Sequence, residues 1–241
     1  MSPPRSVLLL GATGLVGREC LRLLVESDAF SKVVVLARRP LGGDVASPKV
    51  EAHVVDFDHL TAAAPFFDVD RIICALGTTI GQAGSRDRFR TVDLVYPLTA
   101  AHLGIERKVS HFLLVSALGA DSGSLIFYNR IKGELEDAVR ALPYRSLTIA
   151  RPSILVGKRD HPRRGERIAA SLGFVFPLRL RPIMASDVAR ALVHQAILDE
   201  PGRRVLFSAE LRQIARRSFP SRAGETAVRL DDEGIAQSSV A

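Results

Sequence analysis

The sequence predicts an α/β fold built on a doubly wound parallel sheet, with a small C-terminal lobe. Three observations point there. Strand-length apolar runs alternate with helix-length segments along most of the 241 residues. The runs are continuously apolar rather than alternating, as expected of strands covered on both faces. The first run leads through spaced glycines directly into an amphipathic segment, the way a βαβ unit opens. Right-handed crossovers between such units wind helices onto both faces of the sheet.

Taken in order, SVLLL is a short buried strand, and in GLVGRECLRLLVES the residues Val16, Cys20, Leu23 and Leu24 recur at helical spacing. KVVVLAR, VEAHVVD and RIICALG are strand-sized, VYPLTAAHLGIERK predicts a helix, and HFLLVSA predicts another buried strand. FYNRIKGELEDAVRAL is amphipathic, with Ile131, Leu135, Val139 and Leu142 on one face, and YRSLTIARP is a strand that Pro152 ends. After about residue 155 the pattern weakens. GKRDHPRRGERIAASLGFVFP is basic and broken by proline and glycine, with a short helix expected around Arg167 to Leu172. MASDVARALVHQAIL is a clear amphipathic helix with Ser186 and Asp187 as its caps. GRRVLFSAELRQIA supplies a last strand and a short helix, and 218–241 is polar and aperiodic, which predicts a flexible tail. Residues 1–217 therefore read as a single domain with insertions after about 155.

The stretch LLLGATGLVGRE suits a phosphate. Gly11 permits a tight turn, Gly14 lets a pyrophosphate approach the backbone, and Gly17 lets the helix pack close to the sheet. The helix N-terminus adds unpaired N–H groups and partial positive charge. A strand-to-helix turn that binds nothing is the alternative. The end of the second strand chooses the ligand. A carboxylate there would bond the ribose 2′-hydroxyl of NAD, but VVVLARRP offers Arg38 and Arg39, whose guanidiniums suit the 2′-phosphate of NADP. NADP(H) is expected ahead of NAD(H). At later strand ends, Asp56 is placed either to accept from the adenine amino group or to cap a turn. Phe57 is placed to flank the ring, and Gly77 to bring backbone close to the ribose.

Tyr128 and Lys132 are four apart on a predicted helix, so they share one face. A lysine cation beside a phenol favours the phenolate and makes the tyrosine a candidate acid/base. Ser116, just past the fifth strand, offers a hydroxyl to hold a substrate carbonyl. A bare Tyr-x-x-x-Lys pair is common by chance. Its place downstream of a dinucleotide loop, with the strand-end serine before it, singles this one out.

The motifs GATGLVG, DFD, CALGTT, VSALGA, YNRIKGELE, RPSILVG and MASDVARAL, spread over about residues 6 to 200, resemble the short-chain dehydrogenase/reductase superfamily in its atypical or extended branch, a Rossmann-fold group. CALGTTIGQAG, Val92-Asp93, Tyr128 to Glu134 and Arg151-Pro152 are similar to the Tat-interacting-protein-like oxidoreductases. The resemblance implies NADP(H) held by Gly11, Thr13, Gly14, Leu15, Val16, Gly17, Arg38, Arg39, Asp56, Phe57, Leu76, Gly77 and Thr78. It implies Tyr128 as acid/base, Lys132 on the nicotinamide ribose, Ser116 orienting substrate, and Pro152, Ser153 and Ile154 lining the nicotinamide pocket. The reaction implied is hydride transfer between the nicotinamide and a carbonyl or alcohol. An NADP(H)-binding regulatory or assembly protein with little turnover, or a sugar-nucleotide epimerase-like enzyme, are the alternatives. Asp93 departs from the asparagine that many superfamily members use in a proton relay.

Composition narrows the partners. The net charge is +7, with arginines concentrated in the second half, yet no zinc-finger spacing or aromatic-basic repeat supports nucleic acid. The basic segment Lys158 to Arg167 falls where the superfamily places its substrate lobe; it suits an acidic or phosphate-bearing small molecule, with a solvated loop as the alternative, and the partner expected is a small-molecule substrate, acidic or carbonyl-bearing. Cys20 and Cys74 read as buried hydrophobes in a reducing compartment, and no metal role is expected for the six scattered histidines. No stretch reaches the length of a membrane span. A cytoplasmic monomer or homodimer is the resulting expectation.

Overall fold

Val7 to Leu10 are fully buried, and the strand they form is the hub of the sheet. In the computed structural model, residues 5–42, 47–157 and 181–218 are described. The chain begins β1 (Arg5–Leu10), α1 (Leu15–Glu26), β2 (Phe30–Ala37), β3 (Val50–Val54), a 3-10 segment (Phe57–Phe67) and β4 (Arg71–Cys74). Two short helices follow, α2 (Ile80–Ala83) and α3 (Arg86–Arg90), then a π turn (Thr91–Val95) leading into α4 (Tyr96–Glu106). β5 (His111–Val115), α5 (Phe127–Arg140) and β6 (Ser146–Arg151) come next. The small β7 (Leu155–Val156) and β8 (Ile183–Met184) precede α6 (Ala185–Leu198), β9 (Gly202–Phe207) and α7 (Ser208–Ser218).

The sheet order is β3-β2-β1-β4-β5-β6-β9, and every neighbouring pair is parallel. This is the doubly wound arrangement the sequence predicts. Strand periodicity builds two cores from the same strands. Leu8, Leu10, Ile72 and Phe112 face one layer, closed by the 3-10 segment, α4 and α5 through Phe67, Ala100 and Leu135. Val7, Leu9, Ile73 and Leu113 face the other, closed by α1, α6 and α7 through Leu24, Leu192 and Leu211. Cys20 and Cys74 are both buried and unbridged.

Three expectations need correction. The helix predicted from Val95 is the end of a longer composite, because Ser85 caps α3 and the π turn carries the chain on into α4. Ser186 and Asp187 do not cap α6: the N-cap is Met184, and both lie inside the first turn. Burial pushes the Asp187 carboxyl up, with Arg190, Arg212 and Arg216 opposing. The 3-10 segment was not anticipated, since Pro65 and a kink at His59 interrupt any helical period. The basic Lys158 to Arg167 segment, the short helix around Arg167 to Leu172 and nearly all of the expected tail lie outside the described residues.

At the amino-terminal edge of the sheet, away from the strand ends that carry ligands in such folds, Arg71 pairs with Asp199 at 2.6 Å. His111 is 1% exposed and shares a hydrogen bond of 2.9 Å with the Thr148 hydroxyl. Asp199, in a left-handed conformation at the end of α6, also pairs with Arg145 at 2.9 Å. This buried polar knot joins β4, β5 and β6 to the last layer.

Candidate functional site

The glycine loop is held in a geometry that side chains would not permit. Gly11 has φ +85°, and a β-carbon on it would sit 2.5 Å from the Ala75 carbonyl oxygen. A β-carbon on Gly17 would sit 2.0 Å from the Gly11 carbonyl oxygen. Gly14 is the N-cap of α1, and no side chain caps that helix. The first-turn amides of Leu15, Val16 and Gly17 therefore lack partners within the helix, which leaves a site for anionic oxygen.

Beside the loop lies a cleft of about 800 Å³. Gly11, Thr13 and Gly14 form one wall, and Leu76, Gly77 and Thr78 another. Arg38 and Arg39 line it and are exposed, so their guanidiniums are free to meet a ligand phosphate. Phe57 lines it too, tilted against Tyr96 with ring centroids 5.5 Å apart. Among the described residues lining the cleft are three arginines and no carboxylate. The third is Arg88, anchored by Asp58 at 3.1 Å and lying 5.6 Å from the centre of the Tyr96 ring. The Tyr96 hydroxyl also donates to Asp58.

Asp56 makes the capping contact of its two readings. Its carboxylate accepts from the Asp58 amide at 2.9 Å and meets His59 Nδ1 at 2.8 Å, and it does not line the cleft. The side chains of Leu15 and Val16 likewise stay outside the cleft: Val16 is buried in the core, and Leu15 reaches toward Gly157.

Next to the cleft, Lys132 is 4% exposed and its ammonium lies 2.8 Å from Asp93, itself fully buried on the π turn. The other oxygen of Asp93 accepts from the Thr78 amide at 2.9 Å. A β-carbon on Gly77 would lie 3.5 Å from Asp93 and 3.8 Å from the Lys132 ammonium, so the pair abuts the end of β4. Burial pulls the ammonium down, but the Asp93 carboxylate, nearby Tyr128 and the hydrogen bond to Asp93 outweigh it and hold Lys132 above its ordinary range. Tyr128 is half-buried, its ring 5.5 Å from that of Phe89.

Ser116 behaves differently from expectation. Its hydroxyl donates to Glu136 at 2.5 Å inside the protein. Glu136 is fully buried and also receives Arg151 at 2.7 Å and Arg140 at 2.6 Å. A hydroxyl has one proton to donate, so Ser116 as it stands does not offer that proton to a substrate carbonyl, and its neighbour Ala117 has none. Tyr128 lies near enough to Lys132 to act on its charge, and the Ser116 hydroxyl is bonded to Glu136. After β6, the Pro152 carbonyl accepts from Leu118, and the Ser153 hydroxyl donates to the Arg181 carbonyl at 2.6 Å. Ile154 is exposed.

Sequence reasoning missed Arg88, Tyr96 and Glu136. The first two lie in the stretch between β4 and β5, where no strand end marks a site. Glu136 carries a readable signal: an acid directly beside the apolar Ile131-Leu135-Val139 stripe needs a buried partner, and Arg151 is that partner.

The comparisons with known proteins agree with this geometry. The NAD(P)H-binding family matches residues 11–201. The Protein HTATIP2 of Rattus norvegicus is 38% identical over 167 residues, covering 68% of this chain and 69% of that protein. The mitochondrial Protein FMP52 of Debaryomyces hansenii is 32% identical over 201 residues, covering 79% and 87%. The structure of MoeE5 in complex with UDP-glucose and NAD is similar at a TM-score of 0.65 with 15% identity, covering 88% of this chain and 81% of that one, a likeness of fold. The expectation of a cytoplasmic setting is corrected here, because several fungal relatives are named as mitochondrial proteins. Among the described residues no helix is long and apolar enough to cross a membrane. With its glycine cradle, its parallel sheet and these relatives, the chain belongs to the NAD(P)H-binding family and is a homologue of HTATIP2.

Proposed function

We propose that this protein is an NADP(H)-dependent oxidoreductase acting on a carbonyl or alcohol substrate, with Tyr128 as its acid/base. The observation that carries the cofactor reading is the charge of the cleft: Arg38 and Arg39 line it at the end of β2, with no carboxylate among the described lining residues. Two guanidiniums there stabilise a 2′-phosphate through charge-assisted hydrogen bonds, and a carboxylate would repel it. The fit to a dinucleotide rests on Gly11, Gly14 and Gly77, where backbone replaces side chain along the walls.

Gly14 and the first-turn amides of α1 would hold the pyrophosphate, Phe57 the adenine, and Lys132 the nicotinamide ribose. When bound, NADP(H) supplies or accepts the hydride. Tyr128 then gives or takes the proton at the substrate oxygen through its phenolic Oη, with the Lys132 cation one helical turn away favouring the phenolate. The test is a screen of carbonyl compounds with NADPH, run beside Tyr128→Phe. Activity that the variant loses supports the assignment, and full activity of the variant on every hit removes Tyr128 from the role.

One observation favours a second reading, an NADP(H)-binding regulator with little turnover. The Ser116 hydroxyl is committed to Glu136, so the pair lacks the substrate-orienting donor a reductase would use. Tight NADPH binding with no turnover across the screen would support it.

A further inference from the structure

The Asp93–Lys132 pair sits where the backbone does something unusual. Asp93 lies on the π turn Thr91–Val95, and single π turns inside helices recur at functional sites. That turn brings a fully buried carboxylate against both the Thr78 amide, at 2.9 Å, and the Lys132 ammonium, at 2.8 Å. We propose that Asp93 is a positioning residue acting through Lys132: it keeps a buried lysine permanently cationic and pins it against the Gly77–Thr78 wall of the cofactor cleft.

A lysine so enclosed loses its proton unless an anion compensates burial. The groups that face the ammonium are Asp93 from the π turn, Tyr128 from its own helix and the Cys74 thiol from the end of β4. Burial pushes the Cys74 thiol up to about 11, and of these three groups Asp93 is the one carboxylate, in direct contact with the ammonium at 2.8 Å. An amide at this position would still accept from Thr78 but would leave the cation unbalanced. The carboxylate therefore does two things: it preserves the charge that Lys132 offers to a ribose hydroxyl and to Tyr128, and it offsets part of that charge as felt by the phenol.

The role of Lys132 toward a cofactor rests on the proposed function, but its protonation does not, so the test is made on the full chain without ligand. The sequence holds five lysines, few enough for each side-chain Cε resonance to be assigned by carbon-13 labelling and by Lys132→Met. In the parent, Lys132 is expected to titrate with or above the surface lysines. In Asp93→Asn it is expected to titrate lower by at least about one pH unit. A Lys132 resonance in Asp93→Asn that titrates as in the parent overturns the proposal. If Asp93→Asn does not fold, recovery of the fold in Asp93→Asn with Lys132→Met supports it, because removing the stranded cation repairs the damage. A double variant that stays unfolded overturns it, since Asp93 then serves the fold through Thr78 alone. Failure of the proposed oxidoreductase activity shows in the carbonyl screen and leaves this titration untouched.

Discussion

Replacing Gly17 with alanine places a β-carbon 2.0 Å from the Gly11 carbonyl oxygen and 3.0 Å from Ala12 Cα. Close carbon–oxygen contacts settle near ~3.3–3.6 Å, so α1 and the loop must separate by more than about 1 Å. Retreat of the helix is resisted, because Val16, Cys20 and Leu24 are packed in the core behind it. Overpacking of this kind costs about 1–3 kcal/mol, which lowers Tm by about 2–12 °C in a chain of this size. Gly14→Ala is the matched contrast. Its φ is an ordinary −79°, and its β-carbon would sit 3.2 Å from the Gly11 carbonyl oxygen, so the loop must give by only a few tenths of an ångström. That variant is expected to melt within about 2 °C of the parent, yet to bind NADPH at least about tenfold more weakly, because the new methyl occupies the cleft wall where a pyrophosphate approaches. Thermal melts followed by circular dichroism, with NADPH fluorescence titrations alongside, read both effects. A Gly17→Ala protein that melts with the parent refutes the close-approach argument, and a Gly14→Ala protein that binds NADPH like the parent refutes the phosphate cradle.

Three further outcomes are expected. Glu136→Leu strands Arg151 and the Ser116 hydroxyl and should destabilise the fold by about 3 kcal/mol; a thermal melt within about 1 °C of the parent excludes that network as a support. Burial pulls the His111 imidazole down to about 4, with Asp199 opposing and Arg71, Arg204 and Arg145 assisting. A depressed folded-state pKa means that the unfolded chain binds the extra proton, so stability present above about 6.5 is lost as pH falls toward 4. His111→Gln should flatten the melting temperature across that window, and an unchanged slope would remove His111 from the acid response. Tyr128→Phe should keep the parent's Tm and NADPH affinity while losing turnover, so lost cofactor binding would count against a purely acid/base role.

The parallel sheet was legible because its central strands are buried on both faces, which leaves unbroken runs such as Val33 to Leu36. The glycine loop was legible because positions 11 and 17 each need the absence of a β-carbon, a demand that composition records directly. Asp56 was ambiguous for a physical reason: a strand-end aspartate caps the next turn as readily as it meets a ligand, and here the Asp58 amide claims it. The Ser116–Glu136 bond was not legible because a sequence shows a hydroxyl but not its partner, and Glu136 lies twenty residues away on another element. Arg88 and Tyr96 escaped because the composite of α3, π turn and α4 that carries them has no uniform period. Asp93 stood out as a departure in the sequence, but its pairing with Lys132 required the fold.

Above all, the proposed cleft takes a dinucleotide carrying a 2′-phosphate. The most direct measurement compares NADPH and NADH affinities by fluorescence titration, for the parent and for Arg38→Ala with Arg39→Ala, at one fixed moderate salt concentration. Charge-assisted hydrogen bonds contribute about 1.5–3 kcal/mol each, so the parent should prefer NADPH by at least about tenfold. The double variant should lose that preference while its NADH affinity stays the same. Equal affinity of the parent for the two nucleotides would contradict the claim.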